Sequence, residues 1–335
     1  MSTSIPLNKI PTVHHKVRPP GSKSISNRVL LLAALANGVS DLFYLLESDD
    51  TRWMLEALKE LGIKYSLRKT DRRTPRDYFV KVLGCNGNIP NKGRPEQPVQ
   101  LFLGNAGTAF RFLTAVLAFV GGYYELRGVP RMHQRPIKDL VDALRQLGCE
   151  VNYLENEGYP PLGISPAKPL CFDQPISIRG DVSSQFLSAL LMALPLALSQ
   201  QDKVDQAVIK VEGELISRPY VEMTCKLMGY FGVSTSLPLR MDYIAAQGQP
   251  QAEVADIVVN KPISHLHYQA LNSPECFLMT PPPHIPLKPI WIESDASSAS
   301  YFLAAGALAG DMKVMGVRQD SIQGDVMFTL ALQKM

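Results

Sequence analysis

The residues best suited to chemistry are cations and hydroxyls at the start of a predicted helix. A turn at Gly21 opens onto Lys23 and Ser24. Arg28 follows just before the apolar run 29–36. Backbone N–H groups at a helix start carry partial positive charge, so two cations beside them favour an anionic ligand. Taken alone, the segment fits an ordinary serine-capped helix with solvated cations equally well.

This arrangement, a small polar turn before an apolar helix, recurs along the chain. Later copies begin at Gly104, Gly180 and Ser294. The three glycine starts lie 83 and 76 residues apart, and the step to Ser294 is 114 residues. Such a period predicts an α/β fold of repeated strand–helix units, each directing a polar helix start toward a common place.

A second predicted helix closes each of the first three units. Gly62, Gly148 and Gly232 each follow a Leu or Phe, at the position of a left-handed C-terminal cap. The stretch 241–290 interrupts the repeat with proline- and glutamine-rich sequence, which predicts an insertion or linker.

Composition excludes several classes of function. The 335 residues are 46% hydrophobic and 19% charged, with a net charge of +3, which predicts a globular chain without a nucleic-acid partner. The N-terminus lacks the layout of a signal peptide, and no uncharged run is long enough to span a membrane. Five cysteines without CxxC spacing and six histidines without metal-ligand spacing predict reduced thiols, a cytoplasmic location and no bound metal.

Five cations accompany the polar helix starts: Lys23, Arg28, Arg111, Arg131 and Arg135. The spacing of Arg131 and Arg135 fits surface charge and anion binding equally well. The sequence contains no GxSxG, GxxxxGK[ST] or GxGxxG pattern. These residues therefore predict a small substrate that carries more than one phosphate or carboxylate.

Several motifs, in this order, resemble those of the 5-enolpyruvylshikimate-3-phosphate synthase family. They occupy residues 20–28, 101–109, 130–136, 183–191, 217–220 and 294–305. The resemblance covers the chain outside the interrupting segment. The related UDP-N-acetylglucosamine enolpyruvyl transferases share the fold, but their reactive-cysteine loop has no counterpart in this sequence.

The resemblance implies transfer of the carboxyvinyl group of phosphoenolpyruvate to the 5-hydroxyl of shikimate 3-phosphate, without metal or organic cofactor. This reaction belongs to the shikimate pathway to aromatic amino acids, and the family is the target of glyphosate. The residues implied for shikimate 3-phosphate are Lys23, Ser24, Arg28, Ser183, Ser184, Gln185, Ser217 and Tyr220. Those implied for phosphoenolpyruvate are Lys23, Asn105, Gly107, Arg131 and Gln185. Lys23 is also implied in catalysis, and a side chain at position 107 is expected to intrude on the phosphoenolpyruvate pocket.

The resemblance also implies the enolpyruvyl transferase-like fold, an inside-out α/β barrel of repeated units in two lobes that close on the substrates. We expect a complete three-unit lobe over 22–240 and an arm over 1–21 that belongs to the second lobe. After the insertion or linker at 241–290, a partial second lobe is expected over 291–335. The chain is thus expected to be truncated at its C-terminus, and monomeric if complete.

Two departures from the family pattern leave an alternative open. The carboxylates that normally come from the second lobe as acid and base have no assigned residue in this chain. Phe112 stands where many members have proline. The chain is therefore either a synthase of this family or a non-catalytic shikimate 3-phosphate-binding fragment, including an inactive truncated product.

Overall fold

The computed structural model describes residues 12–69, 77–236, 256–261, 289–318 and 320–335. Within these ranges the chain forms thirteen β-strands and eight α-helices. The strands make one two-stranded, one three-stranded and two four-stranded sheets. They form no closed barrel within the described ranges, and most of the expected insertion lies outside those ranges.

The first unit packs two helices against an antiparallel arrangement of strands. In chain order the first elements are β1 (Val13–Val17), α1 (Lys23–Leu35), β2 (Asn37–Leu46), α2 (Asp49–Glu60), β3 (Lys64–Lys69) and β4 (Asp77–Cys85). Strand β4 pairs antiparallel with both β2 and β3. Helix α2 starts at a capping box in which Ser48 and Thr51 each accept from the other's backbone N–H. Helix α1 is buried from Ile25 to its last residue, as expected for a core helix.

The second unit has a similar plan of two helices and a four-stranded sheet. Its elements are β5 (Val99–Phe102), α3 (Gly107–Val120), β6 (Tyr124–Arg127), α4 (Lys138–Gln146), β7 (Glu150–Tyr153) and β8 (Leu162–Ser165), with a 3₁₀ turn at Met132–Gln134. Strands β5 and β6 are parallel, and β8 lies antiparallel between β6 and β7. Apart from Thr108, helix α3 is buried along its whole length.

The third unit corrects one expected boundary. Its elements are β9 (Ile176–Arg179), α5 (Ser184–Ser199), β10 (Gln206–Glu212), α6 (Arg218–Tyr230) and β11 (Ile257–Asn260). Strand β11 pairs antiparallel with β10 and buries Ile257 and Val259 completely. The expected insertion at 241–290 therefore contains a strand of this unit, and the unit does not end at residue 240. The unit extends past residue 240 because the antiparallel strand of its sheet, β11, lies within the segment 241–290.

The last segment corrects a second boundary. Its elements are β12 (Ile290–Trp291), α7 (Ala296–Ala309), β13 (Gly310–Val314), a 3₁₀ turn at Gly324–Met327 and α8 (Phe328–Lys334). The expected partial second lobe begins at residue 291, but β12 pairs in parallel with β2, and the Trp291 ring stacks on Phe43 at 4.4 Å. Residues 290–291 therefore belong to the sheet of the first unit.

The chain exchanges strands between its first and last segments. While β12 joins the first unit, β1 pairs in parallel with β13, which is the pairing predicted between the arm and the last segment. The two crossings lie side by side at an antiparallel bridge between Gly21 and Ser294. The backbone N–H of Asp295 donates to the carbonyl of Pro20 at 2.8 Å in the same place.

The three units share one topology, which confirms the repeated α/β fold. Each sheet contains a parallel pair, β12 with β2, β5 with β6 and β9 with β10, and then an antiparallel strand. Gly62, Gly148 and Gly232 end the second helices with φ of 83°, 91° and 78°, so the predicted left-handed ends are confirmed. Helix α3 packs along α5. The buried side chains of α1, α3 and α5 belong to one hydrophobic core that the units share.

Candidate functional site

The starts of α1, α5 and α6 surround one cavity of about 400 Å³ that opens to solvent. The residues that line it come from three distant segments and the start of α3. They are Lys23, Ser24, Arg28, Thr108, Val182, Ser183, Ser184, Gln185, Ile216, Ser217 and Tyr220. All eight residues that the resemblance implies for shikimate 3-phosphate are among them. The fold therefore brings together side chains that lie almost 200 positions apart in the sequence.

The first turn of α5 is arranged as an anion site. Ser183 caps the helix, since its hydroxyl accepts from the backbone N–H of Gln185 at 3.3 Å. Ser184 is the first helical residue and is mostly buried. The helix start and these two serines line the cavity, and the N-terminus of a helix is a favourable place for a phosphate.

Ser217 has an unusual backbone conformation at the start of α6. Its φ of 52° and ψ of 35° are left-handed, which is uncommon for a residue other than glycine. Its side chain makes no capping hydrogen bond, although it occupies the N-cap position. Strained residues of this kind cost of the order of 1–3 kcal/mol and concentrate at functional sites. The hydroxyl is left exposed at the cavity.

Arg28 lies at the inner wall of the cavity and is 2% exposed. Its Nε donates to Oγ1 of Thr224 at 2.7 Å, and its Nη1 donates to the carbonyl of Ser24 at 2.9 Å. Burial lowers the pKa of this guanidinium to about 10, although the phenol of Tyr220 acts weakly in the other direction. The cation is held rigidly and is poorly solvated.

A second buried arginine positions the glutamine of the cavity. Nη1 of Arg111 donates to Oε1 of Gln185 at 3.1 Å and to the carbonyl of Gly107 at 3.0 Å. The side chain is 7% exposed. Burial, followed by the charge of Arg135, lowers the pKa of Arg111 to about 10. The amide of Gln185 is thus fixed by a cation from the neighbouring unit.

Three residues implied for phosphoenolpyruvate do not line this cavity. Arg131 is exposed, and its Nη1 donates to Oε1 of Gln134 at 3.0 Å. Asn105 is exposed, and its carbonyl accepts from Nη1 of Arg135 at 3.1 Å. Gly107 is buried one residue before Thr108, which does line the cavity. The roles of these three residues stay predictions.

A side chain at position 107 would meet Arg135 of the same chain, and its expected intrusion on the phosphoenolpyruvate pocket stays a prediction. A Cβ at that position would lie 2.3 Å from Nη1 and 2.5 Å from Cζ of Arg135. The space beside Gly107 is therefore filled by a guanidinium of the same chain. The sequence pairs Arg135 with Arg131 by spacing, but only the fold puts Arg135 against the helix start.

Asp325, an acidic residue near Tyr220, has no role among the residues implied by the sequence motifs. The hydroxyl of Ser297 donates to Oδ2 of Asp325, and a hydrogen bond joins Ser297 to the phenol of Tyr220. Burial, and then the charges of Asp325 and Asp295, raise the pKa of Tyr220. The available sequence signal was an aspartate directly after a glycine in the last segment, where the structure has a 3₁₀ turn before α8.

Within the described ranges, no group of three or more His, Cys, Asp or Glu side chains is placed to hold a metal ion. A search of those same residues finds no helix with the length and apolar character that a bilayer crossing requires.

A family model described as EPSP synthase (3-phosphoshikimate 1-carboxyvinyltransferase) matches residues 7–268 and 266–335. The match spans nearly the whole chain, the cavity included. The chain belongs to the EPSP synthase family.

Curated relatives in this family are about half identical to the chain. The 3-phosphoshikimate 1-carboxyvinyltransferase of Cupriavidus taiwanensis is 50% identical over 320 residues, which are 95% of this chain and 62% of the relative. That of Cupriavidus necator is 48% identical over 330 residues, which are 98% of this chain and 64% of the relative. The chain thus spans less than two thirds of their length. The expected truncation is not borne out by these matches and stays a prediction.

A solved EPSP synthase from Acinetobacter baumannii has a similar fold. It superposes with a TM-score of 0.63 at 20% sequence identity, covering 91% of this chain and 57% of that structure. This similarity supports the fold alone, and it agrees with the enolpyruvyl transferase-like fold implied by the motifs.

Proposed function

We propose that the chain binds shikimate 3-phosphate in the cavity and transfers the carboxyvinyl group of phosphoenolpyruvate to the 5-hydroxyl of that ligand, releasing inorganic phosphate. The observation that carries this proposal is the convergence of eight implied residues, from three distant segments, on one polar cavity. The names of the curated relatives support the same reaction.

Electrostatics explains why such a reaction needs this site. Both substrates are multiply charged anions, which repel each other in water. Fixed cations and helix N–H groups offset that repulsion and hold the reacting atoms together. Lys23 and Arg28 supply full charges at the cavity, while Arg111 supplies one just behind Gln185.

The family resemblance supplies a proposed role for each residue that it implies. Ser24 and Arg28 would hold the carboxylate of shikimate 3-phosphate, and Tyr220 would border its ring. The 3-phosphate would be held by Ser183, Ser184 and Ser217. The residues proposed for phosphoenolpyruvate are Lys23, Asn105, Gly107, Arg131 and Gln185. Lys23 and Gln185, both of which line the cavity, would contact the two substrates.

We also propose Asp325 as the base for the 5-hydroxyl. A carboxylate linked through Ser297 to the phenol of Tyr220 lies at the edge of the cavity. A base needs to reach hydrogen-bond distance of the proton it removes, and closure of the lobes around the ligand would provide it. This assignment fills one of the two acid–base roles for which the sequence offered no candidate.

The division into lobes remains part of the proposal. A first lobe of three units, with its cavity at the helix starts, would face a second lobe that includes β1, α7 and β13. The crossings at Gly21 and Ser294 would connect the two. We further propose that the protein is cytoplasmic and, if complete, monomeric; gel filtration would test its oligomeric state.

A second candidate, a binding chain without turnover, is favoured by one observation. Helix α7 buries only Ala296 and Ala299, and Tyr301 and Leu308 on it are 78% and 88% exposed. Phosphate release from phosphoenolpyruvate in the presence of shikimate 3-phosphate separates the two candidates. Release at a rate that depends on both substrates supports the enzyme, and binding without release supports the second candidate.

Calorimetry with shikimate 3-phosphate tests the cavity itself. Ser184→Ala should weaken binding by roughly 1–3 kcal/mol, since it removes a hydrogen bond to a charged phosphate. Ser165→Ala is the matched control, because Ser165 lies on β8 and does not line the cavity. Equal affinity of the wild type and Ser184→Ala would reject the phosphate assignment.

A further inference from the structure

The guanidinium of Arg28 contacts all three units of the described structure. Arg28 belongs to α1, and its Cζ lies 5.2 Å from the ring centroid of Phe112 on α3. Nη2 donates to the hydroxyl of Ser188 on α5 at 3.2 Å. Nε donates to Thr224 on α6 at 2.7 Å. The orientation of one side chain therefore depends on the packing of four helices.

Most hydrogen-bond donors of Arg28 are satisfied by the protein. Nε, one hydrogen of Nη1 and both hydrogens of Nη2 have acceptors, the last of them the carbonyl of Tyr220 at 3.4 Å. One hydrogen of Nη1 has no acceptor within the described ranges. No carboxylate lies within 4 Å of the group in those ranges either. A buried cation without a counter-ion is costly, so its position has to be stabilised by neutral oxygens.

Thr224 makes the shortest of these contacts. It is fully buried, and its hydroxyl has a single hydrogen to donate. Two acceptors lie within its reach, the carbonyl of Tyr220 at 2.7 Å and the hydroxyl of Ser188 at 3.0 Å. Whichever of the two receives the hydrogen, a lone pair of Oγ1 remains to accept from Nε of Arg28. Oγ1 is thus held in place by contacts with Tyr220, Ser188 and Arg28.

We propose that Thr224 is a positioning residue that fixes the Arg28 guanidinium at the wall of the cavity. The hydroxyl sets the plane of the guanidinium, so that its charge and its remaining Nη1 hydrogen serve an anion in the cavity. Thr224 does not line the cavity and acts only through Arg28. The benefit for ligand binding rests on the proposed binding of shikimate 3-phosphate, whereas the positioning of Arg28 can be measured without any ligand.

The chain offers a closely matched control in Thr114. Both threonines are fully buried in a helix, and each hydroxyl donates to the carbonyl four residues earlier, at 2.8 Å from Thr114 to Phe110. Only Thr224 also accepts from a guanidinium. Replacing each by valine removes the same hydroxyl from the same kind of site, so a difference between the variants isolates the contact with Arg28.

The test combines two measurements on the full 335-residue chain and its variants. The first is the ¹H–¹⁵N NMR signal of the Arg28 Nε–H and its rate of exchange with solvent, assigned by its absence in Arg28→Lys. The second is calorimetric titration with shikimate 3-phosphate. The variants are Thr224→Val, Thr224→Ser and Thr114→Val, each checked by thermal unfolding.

We expect Thr224→Val to shift the Nε–H signal, accelerate its exchange and raise the Kd about tenfold. In Thr224→Ser, the Nε–H signal, its exchange rate and the Kd should be close to those of the wild type. Thr114→Val should leave all three unchanged. An unchanged Nε–H signal in Thr224→Val would overturn the proposal, as would equal effects of the two valine variants. If the wild type does not bind shikimate 3-phosphate, the proposed function fails, and the Nε–H comparison decides the positioning role by itself.

Discussion

The guanidinium of Arg135 lies directly against the Cα of Gly107, where a Cβ would come within 2.3 Å of Nη1. The same Nη1 donates to the carbonyl of Asn105 at 3.1 Å. Arg135 therefore closes the turn before α3 from outside and contributes positive charge to its helix start. An alanine at position 107 would therefore make the guanidinium of Arg135 move, before any ligand is considered.

The first prediction concerns Gly107→Ala. The added methyl should displace Arg135 and break its bond to Asn105, lowering the free energy of unfolding by about 1 kcal/mol. In an Arg135→Ala background the same change should be neutral or stabilising, because alanine favours a helix more than glycine does. Urea unfolding of the wild type, the two single variants and the double variant gives the coupling energy between positions 107 and 135. Equal effects of Gly107→Ala in both backgrounds would contradict this explanation.

The second prediction concerns the ring that faces Arg28. Phe112→Leu should weaken shikimate 3-phosphate binding several-fold, because the guanidinium loses the aromatic face 5.2 Å away. Phe119→Leu is the control, since Phe119 is buried on the same helix and has no cation over its ring within the described residues. Both variants should lower the free energy of unfolding by similar amounts. Calorimetric titration with shikimate 3-phosphate should show weaker binding only for Phe112→Leu. Similar affinity losses in the two would remove the special role of Phe112.

The third prediction concerns Asp325 and the phenol of Tyr220. The pKa of Tyr220 is raised by burial and then by the charge of Asp325, so Asp325→Asn should lower it. Ultraviolet titration, with Tyr220→Phe subtracted, measures this ionisation. Asp311→Asn is a control for an exposed carboxylate on β13. A Tyr220 pKa that does not fall in Asp325→Asn would argue against a carboxylate at the edge of the cavity.

The fourth prediction concerns cysteine reactivity. Burial, and then the charge of Glu150, raise the pKa of the Cys149 thiol to about 12, whereas Cys171 is exposed. Only thiolates attack disulfide reagents, so Ellman's reagent at pH 8 should modify Cys171 first. A Cys276→Ser background removes a cysteine that lies outside the described residues.

In that background, Cys171→Ser should abolish the fast phase of labelling, and Cys149→Ser should leave it unchanged. Unfolding in guanidinium chloride should bring Cys149 to the rate of an exposed thiol. Modification of Cys149 in the fast phase of the native protein would contradict the buried environment.

Local patterns in the sequence were sufficient to predict much of this protein. Glycines after the second helices, at Gly62, Gly148 and Gly232, predicted left-handed ends that the structure contains. The period of polar helix starts predicted the repeated units, because capping and amphipathic periodicity depend on residues close together in the chain. The motif resemblance named eight residues that line one cavity, whereas Asn105, Gly107 and Arg131, which it also implied, do not line it.

Only the tertiary structure decided which strand completes each sheet. Strand β12 joins the first unit from about 250 residues away, and β11 completes the third unit from within an expected insertion. The contacts of Arg135 with Gly107, of Thr224 with Arg28 and of Asp325 with Ser297 likewise join distant segments. Such pairings depend on the burial and geometry of the whole fold, which patterns within a short window of sequence do not contain.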